Sequence, residues 1–266
     1  MIYSANKAKQ EEKEEQTVKE IKEVVVPVNI TDSKEKVNYV VQHFWDEVDS
    51  KDTNYIAESA TFEKAFVDYL TISNSVYVDN LAIESINLLL QKAENTAMFT
   101  HILDLYEKYL YNADSPLRND DNYVEVLNYV IKSNTVDSLE KLRPRYKLKQ
   151  MLISRVGEKA ENFIFLTEDA QEKDFYSVNN DYILLCFYNE GCEVCSETKL
   201  DIQNTPTFHN PRVSVVEINT ETTKDIKDKF DIRATPCLYL LDDEKVVLIK
   251  DKSVEEIEQY LLDREI

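Results

Sequence analysis

Tyr182-Ile183-Leu184-Leu185-Cys186-Phe187-Tyr188 is a continuous apolar and aromatic run, separated by Asn189-Glu190-Gly191 from Cys192-Glu193-Val194-Cys195. A run of this length and composition reads as a buried strand, and the residues after the first cysteine read as a helix. Two cysteines three apart on the first turn of a helix can close a small disulfide. The helix N-terminus stabilises the first sulfur as a thiolate. A C-x-x-C in this strand-to-helix context points to thiol–disulfide exchange.

A second signal follows about 40 residues after Cys195, where Arg233-Ala234-Thr235-Pro236 precedes the apolar run Cys237-Leu238-Tyr239-Leu240-Leu241. The elements between and around the two signals read in order. Asn162–Leu166 is expected as a strand, Tyr182–Tyr188 as a second, Glu193–Ile202 as a helix and Val213–Ile218 as a third strand. Thr223–Phe230 is expected as a short helix, and Cys237–Leu241 with Lys245–Ile249 as a hairpin across Asp242-Asp243-Glu244. Ser253–Leu262 closes the chain as a helix with a serine N-cap and Glu255 and Glu256 in its first turn. Strands alternating with helices, then a terminal hairpin and helix, make an α/β domain with a mixed sheet.

Together these residues resemble the thioredoxin fold. The resemblance implies that Pro236 is the cis-proline facing the C-x-x-C, and that Thr235 and Pro236 offer backbone groups to an extended substrate chain. It implies Cys192 as the exposed nucleophile and Cys195 as the resolving cysteine, with Gly191 and Glu193 beside the substrate. Arg155-Val156-Gly157-Glu158-Lys159-Ala160 is similar to the entry of the TlpA/ResA-like branch of secreted bacterial thioredoxins. No cofactor is implied, because electrons enter from an upstream dithiol donor and leave to disulfide-containing client proteins.

The chain departs from the family pattern at several positions. Gly191 stands where a tryptophan is usual, and Glu193-Val194 replaces Gly-Pro between the cysteines. Cys186 occupies the position of the buried acid that relays a proton to the second cysteine, so that relay differs or is absent. Glu190 and Glu193 oppose ionisation of Cys192, which favours a reductant over a strong oxidant. The same losses fit an alternative, a non-catalytic thioredoxin-like binding or scaffold module with a structural disulfide. Cys186 and Cys237 lie inside apolar strands and read as inert core residues. A zinc site would need two ligands beyond the C-x-x-C, copper delivery would need a third, and His209 reads as a solvated turn residue. No metal site is expected.

The 266 residues leave room for a second domain ahead of this one. Residues 1–28 read as a charged, flexible leader, 29–152 as a helical domain and 153–266 as the thioredoxin-like domain. From Asp32 onward apolar residues recur at three and four. Val37, Val40, Val41, Phe44, Trp45 and Val48 form one face of a helix capped near Asp32 or Ser33. Further faces comprise Phe62, Ala65, Phe66, Tyr69 and Leu70; Ala82, Ile83, Ile86, Leu89 and Leu90; Ile102, Leu103, Tyr106 and Leu110; and Tyr123, Val126, Leu127, Val130 and Ile131. Asp137-Ser138 caps a last stretch that Pro144 is expected to interrupt. The fold class is therefore α + α/β: an N-terminal helical array followed by a mixed sheet flanked by helices. Phe44-Trp45-Asp46, Leu117-Arg118-Asn119-Asp120 and Tyr123 resemble an uncharacterised helical domain that precedes TlpA-like thioredoxins in secreted bacterial proteins. It would select or position the client. His43 and His101 read as structural.

Fifty-one acidic against 31 basic residues give a formal charge of −20, which argues against nucleic acid as a partner. No apolar run approaches transmembrane length and no signal-peptide core is evident. Read from its own start the chain is cytoplasmic. The resemblance instead implies the bacterial cell envelope or periplasm, with a lipid anchor possible if Met1 is not the natural start.

Overall fold

A computed structural model describes residues 21–57, 59–76, 80–167 and 169–266. The charged leader expected over 1–28 lies, as far as residue 20, outside the described residues. Contacts divide the chain into two compact units between Val126 and Leu127.

The first unit is helical. α1 (Ser33–His43) starts at Asp32, whose carboxylate accepts from the backbone N–H of Lys34 and Glu35 at 2.9 and 3.0 Å. α2 (Asn54–Ala57), α3 (Ser59–Ser73), α4 (Leu81–Ala93) and α5 (Ala97–Tyr106) follow, and α5 runs into a π-helical turn, Glu107–Tyr111. The helix carrying Val37 stops at His43, so Trp45 and Val48 reach the core from the turns beyond it. Trp45, Phe62, Phe66, Tyr69 and Tyr106 are each at most 1% exposed. Trp45 meets Tyr69 edge-on at 5.0 Å between centroids, and Phe66 meets Tyr106 at 4.8 Å, geometries that aromatic quadrupoles favour. In α4 the buried face is Leu81, Ser85, Ile86, Leu89, Leu90 and Ala93 rather than one running through Ala82 and Ile83. Ser85 can occupy it because its hydroxyl donates to the Val41 carbonyl at 2.9 Å. His43 packs its ring against Tyr39 at a tilt of 39° and bonds Asp46 at 2.7 Å.

α6 (Asp120–Lys132) spans the division, and α7 (Leu142–Met151) follows it. Pro144 does not interrupt α7. It sits at the third position, in the first turn, where a backbone N–H has no intrahelical acceptor to lose.

The rest of the second unit is built on a four-stranded sheet. A separate antiparallel pair, β1 (Ile164–Leu166) with β2 (Glu172–Asp174), precedes β3 (Tyr182–Tyr188), α8 (Glu193–Asn204), β4 (Val213–Asn219), α9 (Ile226–Lys229), β5 (Cys237–Asp242), β6 (Val247–Lys250) and α10 (Val254–Leu262). The sheet order is β4-β3-β5-β6, with β3 and β4 parallel and the other pairs antiparallel. β3 is buried throughout its centre. Leu184 and Cys186 pack with Ile202 of α8 and Val254, Ile257 and Leu261 of α10. Ile183, Leu185 and Phe187 pack on the opposite face with Phe163, Phe175, Ile226 and Phe230.

Several boundaries differ from those expected, three of them for identifiable reasons. The first strand begins at Ile164 because Asn162 is a turn anchor: its amide donates to Asp174 at 2.8 Å and its carbonyl accepts from Tyr176 N. The helix expected over Thr223–Phe230 is four residues long, since Asp225 takes a left-handed φ of 57°. The hairpin's second strand starts at Val247 because Lys245, at φ 69°, belongs to the turn. Residues 157–160 join the β6 side: Gly157 N donates to Val247 O at 2.8 Å and Ala160 N to Lys245 O at 2.9 Å.

α10 begins with a complete capping box in which Ser253 Oγ accepts from Glu256 N and the Glu256 carboxylate accepts from Ser253 N. The Ser253 backbone N–H, the largest cause, holds the Glu256 carboxyl below its usual range. A depressed carboxylate pKa contributes stability above the unfolded-state value and loses it as pH falls through the folded one. Replacing Ser253→Ala is expected to lower stability by about 1 kcal/mol at neutral pH. Thermal melts should show a deficit that stays nearly constant with pH, because the backbone N–H that holds the Glu256 carboxylate is kept in the variant, while both proteins lose the Glu256 contribution below about pH 4.

Candidate functional site

The site sits where β3 ends. Phe187 is the cross-strand partner of Cys237, so Pro236 arrives beside the end of β3 just as the chain leaves it for α8. The 188–191 connection is tied to the end of β4: Thr220 N donates to Tyr188 O at 2.9 Å, and the Asn219 amide donates to Glu190 at 3.3 Å. Gly191 then turns the chain at φ 73°. A Cβ there would meet nothing within 4 Å, so the backbone conformation and not crowding makes glycine the suitable residue.

Cys192 is the N-cap of α8 and is disulfide-bonded to Cys195, with Cα atoms 5.2 Å apart. Its Sγ accepts from the backbone N–H of Cys195 at 3.1 Å, the contact through which a helix start stabilises negative charge on sulfur. The same Sγ lies 3.7 Å from the carbonyl oxygen of Thr235. The Thr235–Pro236 peptide bond is cis. Cys192 is half-buried and Cys195 is 2% exposed, while Gly191, Glu193 and Val194 face solvent. The structure therefore brings together Cys192, Cys195, Thr235 and Pro236, with Gly191 and Glu193 at the rim.

Cys186 and Cys237 are buried and take no part in the disulfide. Burial, with the Glu217 carboxylate adding to it and Lys199 opposing, pushes the Cys186 thiol up to about 12. Burial thus favours the neutral thiol at Cys186. Glu217 is the parallel cross-strand partner of Cys186 and pairs with Lys199 at 2.6 Å, and Lys199 lies 3.2 Å over the Tyr188 ring. His209 is exposed and bonds the Gln203 carbonyl at 2.7 Å. Among the described residues, no group of three or more His, Cys, Asp or Glu could hold a metal ion.

Sequence reasoning missed one feature near the site. The Asp231 carboxylate is buried between Arg233 and Lys250, at 2.7 and 2.8 Å. Asp231-x-Arg233 just ahead of Ala-Thr-Pro was the available signal, but charged residues ordinarily read as surface.

The sheet order, the helix-borne C-x-x-C and the proline loop opposite it define a thioredoxin-like domain. Residues 163–263 match the thioredoxin family model, and residues 3–154 match the model described as a domain of unknown function, DUF5106. A thioredoxin-like protein from Bacteroides caccae ATCC 43185 is 31% identical, covering 93% of this chain and 99% of its own, with a TM-score of 0.83. The C-terminal domain of an uncharacterized protein from Bacteroides fragilis NCTC 9343 is 28% identical over 41% of this chain and 98% of its own, at a TM-score of 0.36. A domain of a possible thiol-disulfide isomerase from Cytophaga hutchinsonii ATCC 33406 is 22% identical over 43% and 95%, at 0.38. No curated protein matches. The chain belongs to the DUF5106 family, with a thioredoxin domain following the helical one.

In the reduced, native protein at pH 8, iodoacetamide is expected to alkylate Cys192 first and to leave Cys186 and Cys237 unmodified until denaturant is added. Peptide mass spectrometry reads this directly, and native labelling of Cys186 would contradict the burial described.

Proposed function

We propose that the protein exchanges dithiols for disulfides through Cys192 and Cys195, reducing disulfides of exported proteins. The observation that carries this reading is the half-buried Cys192 at the start of α8, against the Thr235 carbonyl, with Cys195 buried behind it. The Cys192 thiolate attacks a client disulfide, forming a mixed disulfide and releasing one client thiolate. Cys195, deprotonated, then attacks Cys192 Sγ; the second client thiolate leaves, and the Cys192–Cys195 bond closes. Two electrons pass to the client, whose thiolates take up protons from water. An upstream dithiol protein returns the pair to the reduced state. Thr235 and Pro236 align the client strand, with Gly191 and Glu193 at its edge. The helical domain would position the client, and the resemblance to secreted thioredoxins supports a place in the bacterial cell envelope. Among the described residues, no helix is long and apolar enough to cross a membrane.

Equilibration with glutathione or dithiothreitol, in a Cys186→Ala, Cys237→Ala background, is expected to give a reversible two-electron transition between about −200 and −300 mV. A bond that resists reduction throughout would make it a structural staple and sink the exchange reading.

A Cys195→Ser variant is expected to accumulate a mixed disulfide with a client through Cys192, visible on non-reducing gels. The Cys192→Ser variant should accumulate none.

A further inference from the structure

Between Phe230 and β5, residues 231–236 lie outside both helix and strand, yet this segment must hold Thr235 O at 3.7 Å from Cys192 Sγ. Its fixed point is a buried ion cluster. Asp231 Oδ2 accepts from Arg233 Nη2 at 2.7 Å and Nε at 3.1 Å, and from Lys250 Nζ at 2.8 Å. The side chains are 3%, 6% and 8% exposed for Asp231, Arg233 and Lys250. Lys250 comes from β6, and its cross-strand partner Tyr239 of β5 donates from its hydroxyl to the Asp231 carbonyl at 3.2 Å. One rung of the sheet thus grips both the side chain and the main chain of Asp231, four residues before Thr235.

Burying three charges is costly, and apolar residues of the same volume often stabilise a fold as well or better. What an apolar replacement lacks is direction: a carboxylate held by a planar guanidinium and an ammonium fixes orientation as well as distance. We propose that the Asp231–Arg233–Lys250 cluster is a positioning device that holds the Thr235–Pro236 loop in register with the Cys192–Cys195 pair, for clients presenting an extended polypeptide around their disulfide. The catalytic consequence rests on the exchange function proposed above. The loop-holding itself does not.

Two readouts on the full chain separate these. The first is amide hydrogen exchange at Ala234 and Thr235, compared with Leu184 and Leu185 of β3. Asp231→Asn, which keeps shape and removes the charge, is expected to raise exchange at the loop amides by about tenfold while leaving β3 unchanged. The second is dithiothreitol-driven turnover of a disulfide-linked peptide and of hydroxyethyl disulfide, which has no strand to align. The variant should lose about tenfold in kcat/KM on the peptide, carried by KM, and stay within about twofold on the small disulfide. Lys250→Met, which leaves the Arg233 pair intact, should show the same split at smaller size and covers failure of the first variant to fold. Unchanged loop protection in folded variants overturns the proposal, as does an equal rise at loop and β3 amides, which marks global destabilisation alone. Parallel losses on both substrates overturn the client-strand role. If the unsubstituted protein turns over neither disulfide, the exchange function fails, and the amide measurement still decides whether the cluster holds the loop.

Discussion

Strand β3 is paired on both edges and buried on both faces, and the site depends on that fourfold confinement. Its parallel partner β4 can be reached only by a crossover, which α8 supplies, while its antiparallel partner β5 returns from the other side. The crossover helix must start at the carboxyl end of β3, and β5 must begin at the same end. Cys192 and Pro236 are consequently delivered to one place by topology. Slipping β3 by one residue against either neighbour would send Leu184 and Cys186 to the Phe187 face and empty both cores together.

Much of this was legible in the chain because the determining residues announce themselves by type. Tyr182–Tyr188 can only be a buried element, Cys192 and Cys195 straddle a helix start, and Ser253 with Glu256 spells a cap. The hidden parts depend on partners distant in sequence. Glu172-Lys173-Asp174 has no apolar residue, and becomes a strand through pairing with Ile164–Leu166. Ser85 looks like a surface residue until the Val41 carbonyl is beside it. Asp225 and Lys245 adopt left-handed conformations that turn chemistry permits without demanding. Asp231 is the furthest from view: Arg233 stands two residues on, but Lys250, the second cation that accompanies it into the core, comes from β6, 19 residues away.

The acidity of the chain bears on the site through solvent. Glu190 and Glu193 are both exposed, so water and salt screen their effect on Cys192, whereas the Cys195 N–H acts on that sulfur at 3.1 Å. The short-range contact dominates, and the surrounding negative surface tunes which molecules approach.

The two core cysteines carry a consequence of their own. Four cysteines can be joined as two bridges in three ways. With the helix-start bridge closed, the only second bridge left would join Cys186 to Cys237, and those side chains project to opposite sides of the same sheet. The sheet works as an insulator: oxidising equivalents arriving at the rim have no relay between the two core thiols. The fully oxidised fold therefore stores one electron pair's worth of chemistry and keeps two thiols in reserve.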